Sequence, residues 1–104
     1  MPTTQYKTAP TVTVGGELDI VRVPELDRQL RAAARDASLV VLDLRPLEFL
    51  DSSGASLILT TTRRIRQAGG RLVVMRGSVD VQWLLALMRV DRELEFADGS
   101  AYDS

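Results

Sequence analysis

Asp51, Ser52 and Ser53, followed by Gly54, carry the densest chemistry in this sequence. Their side-chain oxygens can accept hydrogen bonds from the unpaired N–H groups of a helix's first turn, so the group reads as a helix N-cap. Gly54 adds no side chain to shield that turn. Ser52 or Ser53 could then stand exposed at a helix tip, with room for a partner to approach closely. A serine is a poor nucleophile without an adjacent base. The 104-residue chain contains no His and no Cys, which removes a Ser-His-Asp triad, thiol nucleophiles, disulfides and the usual zinc ligand sets. No catalytic residue, cofactor or metal site is expected, and the chain is read as a non-enzyme. If Ser52 has chemistry, it is as a substrate of another enzyme.

The bulk numbers bound the class of protein. A chain of this length supports one core. Hydrophobic residues make up 45% and charged residues 26%, with a net charge of −1. That balance suits a soluble globular domain and carries no electrostatic footprint for nucleic acid or an anionic membrane. No apolar run approaches the roughly 20 residues that span a bilayer, and no signal pattern opens the chain. A cytoplasmic location is expected.

The elements that position the serines follow from periodicity. Residues 1–10, with Pro2 and Pro10, read as an N-terminal arm with a short edge strand at Gln5–Thr8. Thr11 to Gly15 alternates as a half-buried strand, and Gly15-Gly16 allows a turn or bulge before a second strand at Gly16 to Ile20. Pro24 suits a helix's first turn, and Leu26, Leu30, Ala33, Ala34 and Ala37 mark a helix over roughly 24–37. Leu39 to Leu44 is almost continuously apolar, as in a strand covered on both faces, and Pro46 ends it. Asp43 then needs either the strand's exit end or a hydrogen-bonding partner. Leu57, Ile58, Thr61, Ile65 and Ala68 trace the helix that follows the serines, and Gly69-Gly70 stops it. Arg71 to Met75 is another buried strand. Ser78 caps a third helix whose inner face is Val81, Leu84, Leu85 and Met88, with Trp83 off that stripe as either packing or an anchor. Glu93 to Phe96 alternates as a last strand, and residues 98–104 are a polar tail.

The predicted order, β-β-α-β-α-β-α-β, implies an α/β fold: one domain over 11–97, with a mixed, mostly parallel sheet and three main helices. In such sheets binding sites lie beyond the carboxyl ends of the strands. The serines follow one such end, which favours a functional reading of the cap.

Gly16-Glu-Leu-Asp19, Asp51-Ser-Ser-Gly54 and Gly69-Gly70 before a strand, in register with this element order, resemble the STAS domain family. More narrowly, the chain looks like the anti-sigma factor antagonists of bacterial partner-switching systems. The resemblance implies that the unphosphorylated protein binds an anti-sigma factor, often itself a GHKL-type serine kinase. Phosphorylation of the serine after the motif aspartate ends that binding, and a PP2C-type phosphatase restores it. By this resemblance Ser52 is the phosphorylation site, with Ser53 as the alternative. Asp19, Asp51, Ser52, Ser53 and Gly54 form the partner surface. Where many antagonists have Gly-Leu-Gly after the serines, this chain has Gly54-Ala55-Ser56, so Ser56 offers a third hydroxyl. Val21, Arg22 and Val23 offer no specialised first-loop contact. The competing reading is a STAS-like subunit of an ABC-type lipid transport complex, in which the serine loop touches an ATPase.

Overall fold

A computed structural model describes residues 8–98. Among the described residues, two sets of parallel strands carry three full helices. β1 (Thr11–Thr13), β3 (Leu39–Asp43), β5 (Arg71–Met75) and β6 (Glu95–Ala97) form a sheet in the order β1-β3-β5-β6. β2 (Gly16–Leu18) and β4 (Leu47–Leu50) form a separate two-stranded sheet. All pairings among the described residues are parallel, as helical crossovers require. The helices are α1 (Val23–Ala34), α2 (Ser52–Gln67) and α3 (Val79–Leu87), with a 3₁₀ turn at Asp91–Glu93 before β6.

The apolar run at Leu39 behaves as its composition predicts. Val40, Leu42 and Leu44 turn to the main core with Leu26, Leu30, Ile58 and Leu85, while Val41, Val73, Met75 and Ala97 form a second buried cluster on the sheet's other face. Asp43 meets both of its expected conditions. It closes β3, is largely buried, and binds Arg45 through the Arg45 amide at 3.0 Å and the guanidinium. Burial alone would raise its pKa, but those hydrogen bonds and the Arg45 charge outweigh it and hold the carboxyl below its ordinary value.

Several boundaries move. α1 ends at Ala34, three residues before the expected end. Gly16, at φ +67°, marks the expected irregularity, where the β2–β4 register shifts between Gly16 and Glu17. β4 is an additional strand. Leu47 and Leu50 are buried while Glu48 and Phe49 between them are exposed, so it lacks the period-2 signature that identifies a strand. Consequently the serines follow β4 and not β3. The edge strand expected at Gln5–Thr8 lies outside the described residues apart from Thr8, which is helical. The arm is docked by its end, since Pro10 O accepts the Val41 amide at 2.9 Å and Ala9 packs on the second cluster. Apart from Asp98, the tail lies outside the described residues.

Candidate functional site

The site is the junction of two loops, one leaving β2 and one leaving β4. Asp51, in extended conformation at φ −100° and ψ −174°, is the N-cap of α2. Its Oδ1 accepts the Ser53 amide at 2.9 Å, the Gly54 amide at 3.0 Å and the Ser53 hydroxyl. The Asp51 carbonyl accepts the Ala55 amide at 3.0 Å. The cap is therefore the aspartate, and neither serine supplies it. The pKa of Asp51 is lowered, chiefly by the Ser53 hydroxyl and then by the Gly54 amide, with smaller help from the Ser53 and Ile20 amides against desolvation.

This arrangement separates the serines. Ser53 is partly buried and its hydroxyl is committed to Asp51. Ser52 begins the helix, is exposed, and has no side-chain hydrogen-bond partner among the described residues. Ser56 is also exposed, one turn further along, and lines an open groove between α1 and α2 with Ser53, Leu57, Asp27 and Arg64.

The other loop is built by Asp19. Its Oδ1 accepts the amides of Val21 at 3.1 Å and Arg22 at 3.2 Å, and its carbonyl accepts those of Arg22 and Val23. That is an Asx-type turn feeding α1, whose own N-cap residue, Arg22, makes no capping side-chain bond. Arg22 instead donates through Nη1 to the carbonyls of Gly15 at 2.5 Å and Glu17 at 2.8 Å, bracing β2 from outside. Leu18 O accepts the Asp51 amide at 3.2 Å, so the two loops are joined through the backbone.

Two expectations need correction. The small size of Gly54 is taken up inside the domain. Gly54 is buried, and a Cβ there would lie 2.8 Å from Leu18 Cγ and 2.9 Å from Leu18 O. It seats α2 on β2 and presents no side-chain gap to a partner. Conversely, the first loop does display exposed apolar side chains. Ile20 is 70% and Val21 80% exposed, beside the serine cap. Ile20 reads in sequence as the continuation of a strand, and only the Asp19 turn puts both side chains outward. Asp followed by a helix start was the available signal.

With this geometry in hand, comparisons with known proteins are specific. The STAS domain family model matches residues 1–101. The anti-sigma-F factor antagonist RsfB of Mycobacterium tuberculosis is 33% identical over 69 residues, 65% of this chain and 57% of that protein. The anti-sigma-B factor antagonist of Staphylococcus aureus is 32% identical over 65 residues, 62% of this chain and 60% of its own length. The chain thus spans less than two thirds of the curated relatives it matches. Among solved structures, the anti-sigma factor antagonist SpoIIAA in its unphosphorylated form superposes with a TM-score of 0.70 at 24% identity, covering 89% of this chain and 84% of that one. The Bacillus SpoIIAA in its phosphorylated form gives 0.64 at 21% identity, covering 86% and 83%. These two structural likenesses concern the fold.

Proposed function

This chain belongs to the STAS domain family, and from that membership we propose that it is an anti-sigma factor antagonist switched by phosphorylation of Ser52. In this reading the unmodified protein binds an anti-sigma factor of the GHKL serine-kinase type, and a PP2C-type phosphatase resets it. The observation that carries the proposal is the division of labour at the cap. Ser52 offers an exposed, unengaged hydroxyl, while Ser53 is tied to Asp51. Exposed Ile20 and Val21 supply the apolar part of the contact, and Asp19 and Asp51 hold the two loops in register. The names of the similar mycobacterial and staphylococcal proteins support the same reading.

A phosphate adds about −1.5 to −2 charges at pH 7. A partner pocket shaped for a neutral hydroxyl must desolvate or reject that charge. The test uses Ser52→Ala and Ser52→Asp, with the same pair at Ser53 as controls. Each is titrated against a candidate kinase partner, and wild type incubated with kinase and ATP is read by intact mass and peptide mapping. Ser52→Ala should bind and resist phosphorylation, and Ser52→Asp should stay folded and lose binding. Phosphate mapped to Ser53 would move the site by one residue, and equal binding by all variants would refute the switch.

A further inference from the structure

The residue that ends the first loop breaks two local rules at once. Arg22 is the N-cap of α1, a position that favours Ser, Thr, Asp or Asn, and it makes no capping side-chain bond. Its cation also stands at the positive end of the helix dipole, where charge of that sign is unfavourable. The side chain instead reaches back across the loop. Nη1 donates to the carbonyls of Gly15 at 2.5 Å and Glu17 at 2.8 Å. Those two residues flank Gly16, beside which the β2–β4 register shifts. Asp19 ties the same segment from its other end, accepting the Val21 and Arg22 amides through Oδ1. Ile20 and Val21 are enclosed between the two ties. Both are largely exposed, and neither packs against either buried cluster. Arg22 is itself exposed and borders a small cavity between β1, β2 and α1. Hydrogen bonds, and not close packing, therefore set the shape of this loop.

We propose that Arg22 is a positioning residue for partner binding, which holds Ile20 and Val21 in the arrangement that a docking protein meets. The inference rests on the antagonist reading above and adds to it the residue that pre-forms the contact. Ordering a free loop costs backbone entropy, and a surface already ordered spares a partner that cost on docking. Nη1 is committed to the protein's own carbonyls, so the influence of Arg22 on a partner is carried by the two apolar side chains. A Ser or Asp at this position would suit α1 better but is too short to reach back as the guanidinium does. The cap is given up for the brace, and broken local rules of this type gather at functional sites.

The experiment compares wild type, Arg22→Met and Arg22→Lys as full chains, by amide hydrogen exchange and by titration with a candidate GHKL-type serine kinase. In Arg22→Met the amides of residues 21–23 should exchange about tenfold faster while those of β3 and β5 keep their protection. Its affinity for the kinase should fall about tenfold. Arg22→Lys, whose ammonium also carries several donors on one nitrogen, should lose less on both counts. The loss must run through the apolar pair, so in a Val21→Ser background Arg22→Met should cost no more than about threefold. Loop exchange that Arg22→Met leaves unchanged overturns the proposal. So does a penalty that stays tenfold beside Val21→Ser, which would make Arg22 a direct contact. Exchange in β3 and β5 that accelerates along with the loop also overturns it, since Arg22 would then brace the whole domain. Affinity lost in Val21→Ser but kept in Arg22→Met overturns this inference alone, whereas a wild type that binds no such kinase overturns the antagonist reading and the inference with it.

Discussion

Gly54→Ala is the sharpest probe of how the serine helix is seated. On an exposed helix the substitution would stabilise by up to about 1 kcal/mol, because Gly is the poorer helix former. Here the new Cβ would meet Leu18 Cγ at 2.8 Å, Leu18 O at 2.9 Å and Leu18 Cδ2 at 3.0 Å, where carbon contacts prefer about 3.5–4.0 Å. The leucine side chain can rotate aside, but the carbonyl is fixed in β2 and accepts the Asp51 amide. The helix start must lift by something on the order of half an ångström, and overpacking of this type costs about 1–3 kcal/mol. Because a backbone atom blocks the way, the upper part of that range applies. The net loss is about 1–2 kcal/mol after the helix-propensity gain, or a fall in Tm of roughly 5–10 °C for a domain of this size. Urea unfolding and thermal melts measure it directly. Adding Leu18→Ala separates the causes, since it removes two of the three close contacts and leaves the carbonyl. The double variant should lose less than the sum of the single losses. A Gly54→Ala protein as stable as wild type would show that propensity governs this position and would refute the packing argument.

Three further outcomes follow from the geometry. Asp51→Asn retains a capping side chain but loses the ionised form that the Ser53 hydroxyl and Gly54 amide favour; a depressed native pKa adds stability above the unfolded value near 3.9, lost as pH falls through the native one, so the Tm gap between wild type and variant should close on acidification below about pH 4, and a gap constant with pH would exclude the charge as its source. Ile20→Ser and Val21→Ser, at exposed positions, should leave melting curves unchanged while weakening kinase-partner binding by about tenfold or more in calorimetric titration, and unchanged affinity would remove the first loop from the contact. Arg89 follows α3 at φ +61°, the left-handed position that glycine normally fills, so Arg89→Gly should raise stability by about 0.5–1 kcal/mol once glycine's entropy is deducted, and a loss in chemical denaturation would count against strain there.

Much of this architecture was legible because the pattern and the physics coincide. The buried run at Leu39, the Leu26–Leu30 stripe and the Leu57–Ile65 stripe each show a period that matches their burial. The Gly69 stop is equally direct, at φ +86° with Gly70 N–H returning to Ile65 O. What escaped lacked a local signature. β4 is four residues long with its middle two exposed, and it is held by its pairing with β2 across the chain. The lining role of Gly54 depends on Leu18, 36 positions earlier, and no local spacing encodes that approach. The exposure of Ile20 and Val21 likewise depends on how Asp19 turns the backbone.

At the cap, residue types alone leave three candidates for one task, because Asp and Ser both accept first-turn hydrogen bonds well. The backbone decides among them. Asp51 takes the extended N-cap conformation, so its carboxylate reaches Ser53 and Gly54, and Ser52, already helical, is carried past the hydrogen-bonding position. This also changes what a phosphate on Ser52 would meet. From the sequence, a dianion at the helix start finds unpaired N–H groups and a favourable dipole. In the structure the Ser53 and Gly54 amides already serve Asp51, whose carboxyl is held ionised. The dipole's benefit, about 0.3–1 kcal/mol at an exposed terminus, is thus opposed by a like charge next door. Under the proposed switch, a phosphate on Ser52 would gain little by folding back onto the helix and would project toward solvent, on the side where Ile20 and Val21 are exposed. The domain beneath it would be left unchanged, and the modification would act on the surface.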